Sequence, residues 1–203
     1  MTIPVQRLSA SARDAYRAHL VALDPEDRRL RFGSMIASDA IAAYVDRIDF
    51  ERDVVFAVRD DTLRVVAAAH VAIVDEATAE LGVSVDAGHR LRGVGSALVR
   101  RAAAYSRNRN VRTLYMHCLA ENAPMMHIAR SAGMNVVVQS GHADAHLTLP
   151  PADSASLVGE ALADGIALVD FALKAQVNTM ARVEQALRRD EERECRNGPP
   201  TAS

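Results

Sequence analysis

The stretch that most constrains this chain covers residues 85–99 and reads VDAGHRLRGVGSALV. It follows an alternating apolar segment and leads into residues with helical periodicity, so it predicts a strand, a glycine-containing loop and a helix start. N–H groups at a helix N-terminus lack partners and carry the positive end of the helix dipole, and glycines let a phosphate approach the backbone. Arg90 and Arg92 add charge there, so the stretch predicts an anion-binding site.

Two other phosphate-binding motifs do not fit this stretch. A P-loop needs Gly-Lys followed by Ser or Thr, whereas Gly95 is followed by Ser96 and Ala97. A dinucleotide-binding loop needs a third glycine three residues after the second, where this chain has Leu98. The residues therefore argue against a nucleoside triphosphate or a dinucleotide, and a plain tight turn is the structural alternative.

The periodicity on both sides of the loop predicts an α/β (α+β) fold with a mixed sheet. Helical patterns occupy residues 9–22, a short segment after Asp24-Pro25, a segment that Ser38 caps, and then residues 93–108 and 122–132. Strand patterns occupy residues 54–58, 63–74, 78–86, 112–119, 135–139 and 144–149.

The segment after Pro150-Pro151 predicts a long amphipathic helix, because apolar residues recur at helical spacing from Val158 to Leu187. Gly159 and Gly165 weaken such a helix by roughly 1 kcal/mol each relative to Ala, so we expect it to depend on packing. The apolar stripe should be buried, either on the preceding domain or in a dimer. The chain thus divides into a domain at 1–150, a C-terminal helix at 151–196 and a disordered tail at 197–203.

Composition argues against several classes of function. Lys and Arg number 24 against 26 Asp and Glu, so no global basic field is available for nucleic acid. No apolar run approaches the ~20 residues that span a bilayer. The two cysteines, Cys118 and Cys195, are too few and too differently placed for a disulfide framework. We therefore expect a cytoplasmic protein without nucleic-acid or membrane partners.

The same loop resembles the acetyl-CoA site of the GCN5-related N-acetyltransferases (GNAT), whose signature Arg/Gln-x-x-Gly-x-Gly/Ala stands here at residues 90–95. The resemblance extends over residues 5–150 and includes Asn122 and, eleven residues later, Gly133. Residues 24–32 and 79–81 further resemble the acetyltransferase domain of bacterial protein-lysine acetyltransferases. The resemblance implies a mixed, mostly antiparallel sheet flanked by helices, in which the strands beginning at 78 and 112 splay apart.

The resemblance also implies acetyl-CoA as the cofactor. The N–H groups of residues 90–96 would hold its pyrophosphate, and its pantetheine arm would pair with the backbone of the preceding strand. The cofactor-binding residues implied are Val83, Val85, Arg90, Leu91, Arg92, Gly93, Val94, Gly95, Ser96 and Asn122.

Glu80 is the candidate catalytic residue. Period two places it on one strand face with Gly82 and Ser84, beside the thioester that the resemblance implies. An amine must lose a proton before it attacks a thioester, and a carboxylate can accept that proton. A solvated glutamate on the outer face of a strand is the structural alternative. Many family members have a Tyr that protonates the leaving thiolate; this chain has Ala129 there, so we expect solvent to supply that proton.

Two further groups of polar residues have a structural and a functional interpretation. His142, Asp144 and His146 share a strand face and suggest a metal, but without another His or Cys nearby we favour a polar outer face and expect no metal site. The arginines of the second helix are either surface charges, the favoured interpretation, or recognise an acidic acceptor; they are Arg28, Arg29 and Arg31.

Together these inferences predict an N-acyltransferase that moves an acetyl group from acetyl-CoA to a primary amine by direct attack. The acceptor would be a small molecule or a protein lysine, and the C-terminal helix would serve a homodimer. The alternative is a non-catalytic acyl-CoA-binding sensor or assembly module that acts through the C-terminal helix, as Ala129 and the apolar stripe suggest.

Overall fold

Alternating and β-branched segments form a seven-stranded sheet in the computed structural model, which describes residues 2–196. The sheet order is β1-β2-β3-β4-β5-β7-β6, and every neighbouring pair is antiparallel except β4 and β5. The predicted mixed, mostly antiparallel sheet is therefore confirmed. The strands are β1 Gln6–Leu8, β2 Val54–Arg59, β3 Val65–Ile73, β4 Thr78–Val85, β5 Thr113–Leu119, β6 Asn135–Gln139 and β7 His142–Thr148.

Helices cover both faces of this sheet, as predicted for the fold class. One hydrophobic core includes Leu81 and Leu98, and a second on the opposite face includes Leu20 and Ile41. The helices are α1 Arg13–Ala22, α2 Pro25–Phe32, α3 Ser38–Asp46, α4 Val94–Arg107, α5 Ala123–Ser131 and α6 Ser154–Arg196.

The start of α2 follows the sequence closely. The Asp24 side chain accepts a hydrogen bond from the Asp27 N–H at 2.8 Å, Pro25 holds the first helical position, and Gly33 ends the helix with a φ of 77°. Helix α3 differs from the prediction, because its N-cap is Ala37 and Ser38 is already helical.

Strands β4 and β5 diverge soon after they begin to pair. Their parallel register covers Thr78–Glu80 against Thr113–Tyr115. Beyond Glu80 the rest of β4 has no partner in β5, whereas β3 remains paired with β4 as far as Val85. The splay that the sequence resemblance implied is therefore present, and it opens toward the loop before α4.

Helix α6 packs on the domain through small and polar side chains and through Phe171, whose ring lies under the Arg59 guanidinium. Ala167 is buried, Asp164 pairs with Arg101 of α4, and Glu160 pairs with Arg109. Of the two arrangements expected for the apolar stripe, burial on the preceding domain is not observed, because these ion pairs turn the polar face inward. Eleven large apolar side chains of α6 are 50% to 66% exposed: Leu157, Val158, Leu162, Ile166, Leu168, Val169, Leu173, Val177, Met180, Val183 and Leu187.

Reciprocal hydrogen bonds between Asp153 and Ser156 set the start of α6, where the sequence predicted it. The predicted disordered tail, 197–203, lies outside the described residues. Within residues 2–196 no helix has the length and apolar character required to cross a membrane.

Candidate functional site

The loop between β4 and α4 presents a row of unpaired backbone N–H groups. Leu91 and Gly93 have positive φ values of 59° and 77°, and Gly93 is the N-cap of α4 without a side-chain cap. No acceptor among the described residues bonds the N–H groups of residues 91–96. Left-handed residues at alternating positions create an anion-binding concavity. The predicted anion site is thus built from the backbone, and the exposed Leu91 adopts a conformation unusual for a side chain with a Cβ.

The two arginines of this loop differ in their partners. Arg90 forms an ion pair with Asp27 of α2, and its Nε donates to the Val85 carbonyl at 3.4 Å. Burial raises the pKa of the Asp27 carboxyl, and Arg90 offsets only part of that increase. Arg92 is exposed. Arg90 therefore links the loop to α2. The charge of Arg92 faces solvent beside the unpaired N–H groups of residues 91–96.

The unpaired edge of β4 faces the gap left by β5. The Asp86 N–H donates to the Val66 carbonyl in β3 at 2.9 Å. Because backbone N–H and C=O groups alternate in direction along a strand, those of the even-numbered residues of β4 point toward β3. Odd-numbered residues therefore direct theirs toward β5, and Val83 and Val85 lie beyond the last paired residue of β4. A peptide-like ligand can pair with this edge.

Glu80 stands at the last paired position before the strands separate. Its carboxylate is exposed, and its Oε2 accepts a hydrogen bond from the Tyr115 hydroxyl at 3.0 Å. Burial, and then the charge of Glu80, raises the pKa of Tyr115, so the hydroxyl stays protonated and donates. Sequence reasoning missed Tyr115; the alternation of residues 113–118 places it on the outer face of β5, but only the register shows that it meets Glu80.

The polar residues of β7 form an exposed face with β5. His117 Nδ1 lies 2.7 Å from Asp144 Oδ1, His117 stacks on His142, and His146 stacks on Tyr115. Within the described part of the chain, no group of three His, Cys, Asp or Glu side chains could hold a metal ion. The favoured interpretation of a polar outer face agrees with these contacts.

Two predicted positions of α5 have structural partners. Asn122 is buried and caps this helix, since its Oδ1 accepts from the Met125 N–H at 3.2 Å. Ala129 is buried in the core shared with α4. A Cβ at Gly95 would lie 2.7 Å from Ile128 Cδ1, so Gly95 permits close packing of α4 against α5.

Helix α2 covers the start of the splay. Arg29 pairs with Glu121 beyond β5, and Asp27 pairs with Arg90 beyond β4, so the helix joins both sides of the gap. Arg31 is not the surface charge favoured from the sequence, because its guanidinium fills the space that a Cβ at Gly82 would need. The three arginines of this helix therefore have different contacts: Arg28 bonds backbone carbonyls, Arg29 pairs with carboxylates and Arg31 lies over Gly82.

Comparison with known proteins gives a consistent family signal. The model of the acetyltransferase (GNAT) family matches residues 26–134. No curated protein matches the chain. The GNAT domain of S. lividans PAT is 20% identical with a TM-score of 0.61, and the match covers 71% of this chain and 89% of that one.

Two further solved structures contain a bound cofactor. A Salmonella typhimurium protein solved with acetyl-CoA is 15% identical with a TM-score of 0.54, covering 74% of this chain and 95% of that one. Spermidine N-acetyltransferase from Vibrio cholerae, solved with CoA and spermine, is 15% identical with a TM-score of 0.54, covering 70% of this chain and 91% of that one. At these identities the similarity shows a shared fold.

Proposed function

The chain belongs to the acetyltransferase (GNAT) family, and on that premise we propose that it transfers an acetyl group from acetyl-CoA to a primary amine by direct attack, with Glu80 as general base. The observation that carries this proposal is the position of Glu80. It is an exposed carboxylate at the last position where β4 pairs with β5, and the same strand leads into the loop with the unpaired N–H groups of residues 91–96.

The residues present fit acetyl-CoA, which would supply an activated acetyl thioester. The free N–H groups of residues 91–96 suit a pyrophosphate, and Arg92 adds a positive charge. The Arg90 N–H already bonds the Ala87 carbonyl at 3.4 Å, so we assign Arg90 a role through its side chain. The backbone of Val83 and Val85 would pair with the pantetheine arm. Asn122 would contact the cofactor from the start of α5.

In the proposed reaction, Glu80 accepts a proton from the acceptor ammonium, directly or through a water molecule. The neutral amine nitrogen then forms a bond to the thioester carbonyl carbon, and the carbon–sulfur bond breaks. The electron pair leaves with sulfur, and the nitrogen gives up its second proton to solvent as the amide forms. The thiolate takes a proton from solvent, because Ala129 offers no acidic group. Tyr115 holds the Glu80 carboxylate in place through its hydrogen bond.

The experiment that tests this proposal measures CoA release from acetyl-CoA with a panel of amines. We expect Glu80→Gln to lower kcat/KM by about 10²- to 10⁴-fold, the usual contribution of a general base, with an unchanged Kd for acetyl-CoA. Glu184→Gln, at an exposed site on α6, is the matched control and should not alter either value.

Acetyl-CoA binding is tested separately by thermal unfolding. At a hundredfold excess over Kd, a ligand stabilises the native state by about 2.7 kcal/mol. Absence of any stabilisation, together with no CoA release, would refute the proposal. Unaltered turnover in Glu80→Gln would instead remove Glu80 as the base and leave the transferase assignment standing.

We further propose that the apolar face of α6 is the interface of a homodimer. The exposed residues between Leu157 and Leu187 span about 45 Å of helix at 1.5 Å per residue. At roughly 100 Å² per half-exposed apolar side chain, the nine that share the face of Leu173 offer about 900 Å² per protomer, and a standard interface needs about 800 Å² per partner. A second copy of this chain supplies a matching surface of the same size.

Light scattering of the full chain tests this interface. Leu173→Glu places a charge in the centre of the stripe and should convert a dimer to a monomer, whereas Leu173→Met preserves volume and hydrophobicity and should leave the dimer intact. A wild-type protein that is monomeric at all concentrations would contradict the proposal.

The exposed stripe and the absence of a tyrosine at position 129 also support a second candidate, an acyl-CoA-binding sensor or assembly module. Tight acetyl-CoA binding by the wild-type protein without turnover of any amine would favour it. The accessible Glu80 carboxylate is the reason we place the enzyme first.

A further inference from the structure

The face of β4 that carries Glu80, beside which the proposed acceptor amine would lie, is covered by an arginine that no carboxylate neutralises. Arg31, in the last turn of α2, lies with its guanidinium directly over Gly82. Its Nη2 donates to the Tyr44 hydroxyl at 3.1 Å, its Nε is buried without a partner, and no ion pair of the described residues includes it. Burying a charge without an opposite charge is costly, so this arrangement indicates a group that an anion completes.

The neighbouring arginines of α2 show that this is specific to Arg31. Arg28 donates to the Val21 and Leu23 carbonyls, and Arg29 pairs with Glu26 and with Glu121. Both side chains therefore help to hold α2 in place through backbone carbonyls or carboxylates. Among the three arginines of α2, Arg31 is the one that has neither kind of partner.

A relay of hydrogen bonds fixes Arg31 without neutralising it directly. The Tyr44 hydroxyl lies 2.6 Å from His70 Nδ1, and His70 Nε2 lies 3.2 Å from Asp53 Oδ2. The guanidinium also lies 5.0 Å from the Phe32 ring centroid, over its face. The buried Tyr16 hydroxyl is a second neutral partner of the guanidinium. Tyr44 and His70 separate Arg31 from the Asp53 carboxylate, so hydroxyl groups and no carboxylate hold the guanidinium in place.

The position of Arg31 relates it to the proposed chemistry. Gly82 lies two residues beyond Glu80 on the same face of β4, which is about 7 Å along a strand. We propose that Arg31 binds the carboxylate of the acceptor, so that the acceptor is a small amino carboxylate whose amine and carboxylate are a few bonds apart. This inference rests on the proposed function, because it assumes that the amine is acetylated beside Glu80.

A guanidinium suits this role because it binds a carboxylate through two parallel N–H groups. The same charge repels a second ammonium group, so polyamines are disfavoured as acceptors. Gly82 is required for this arrangement, because any Cβ at this position would displace the Arg31 guanidinium from the strand.

The test compares acceptors that differ only in charge. CoA release is measured with acetyl-CoA and the twenty L-amino acids, each beside its carboxamide. We expect at least a tenfold higher kcat/KM for the preferred acid than for its amide, and we expect Arg31→Gln to abolish that preference by raising KM for the acid. Arg29→Gln, on the same helix, is the control and should retain the preference.

Thermal unfolding gives a readout independent of turnover. Arg31→Gln removes an unpaired buried charge and should leave the Tm unchanged or raise it, whereas a purely structural arginine would lower the Tm when removed. Arg31→Lys keeps the charge without the two-pronged geometry and should retain only part of the preference.

Three results would overturn this inference. They are equal rates with acids and amides, an equal loss for both in Arg31→Gln, and turnover of polyamines or peptide lysines but of no amino acid. Binding of acetyl-CoA without turnover of any panel member would overturn it too. Failure of the proposed function looks different, because then no CoA release would be seen with any amine, polyamines and peptide lysines included.

Discussion

The ion pair between Arg101 and Asp164 attaches the C-terminal helix to the domain, and its contribution to the free energy of unfolding can be measured. Arg101 of α4 is 6% exposed, its guanidinium lies over the Phe56 ring, and its Nη2 contacts Asp164 Oδ1 of α6 at 2.5 Å. Its Nε and Nη1 are buried without partners. Asp164→Asn keeps the size of the side chain and an oxygen acceptor but removes the opposite charge, so it isolates the electrostatic part of the contact.

The expected cost lies between two limits. Removing one partner of a fully buried ion pair costs about 3–5 kcal/mol, and an exposed pair contributes about 0–1 kcal/mol. The Asp164 side chain is 42% exposed, which allows water to screen one side of the pair. We therefore expect Asp164→Asn to lower the free energy of unfolding by about 2 kcal/mol, or the Tm by about 4–8 °C for a chain of this size.

Urea and thermal unfolding at one fixed protein concentration measure this cost. Glu184→Gln is the control, because it breaks the pair with Arg188 on the same helix, where both side chains are more than 60% exposed, and it should cost less than about 0.5 kcal/mol. Equal, small effects in both variants would refute the reasoning and show that apolar contacts hold α6 on the domain.

Two further predictions concern the site and its surroundings. Tyr115→Phe removes the hydrogen bond to Glu80 and should lower kcat/KM about three- to tenfold, the effect of roughly 1 kcal/mol, while the Kd for acetyl-CoA measured by calorimetry stays unchanged. Burial would raise the pKa of Asp86, but the hydrogen bond and charge of His19 and the charge of Arg64 outweigh it and lower that pKa. The stability from Asp86 is therefore complete above its unfolded pKa of about 3.9 and is lost as the pH falls below it, so urea midpoints between pH 5 and pH 2 should fall less in Asp86→Asn than in wild type.

Much of the fold follows from local sequence patterns. The alternation around Glu80 and the glycine loop at 93–95 locate β4 and α4 to within a residue or so, and Asp24 marks the start of α2. These signals are local, because a cap or a strand face is decided by residues a few positions apart. Strand β1 was not predicted, since three residues are too few to show a period.

The remaining features depend on contacts between distant residues. Tyr115 reaches Glu80 through the short parallel register, and Arg31 reaches Gly82 because α2 crosses β4. The face of α6 that packs on the domain could not be chosen from the sequence for the same reason, since Arg101 and its carboxylate partner help to decide it and hydrophobic periodicity does not show an ion pair between distant residues.

The ion pair between Asp27 and Arg90 connects α2, which lies over the Glu80 face of β4, with the loop proposed to hold the pyrophosphate. An anion bound in that loop would compete with Asp27 for the charge of Arg90 and so would alter how tightly α2 is held. Thermodynamic linkage is reciprocal: the factor by which acetyl-CoA changes the affinity for the acceptor equals the factor by which the acceptor changes the affinity for acetyl-CoA. In the proposed reaction, a single ion pair would thus give each substrate a means to influence the binding of the other before any bond is made or broken.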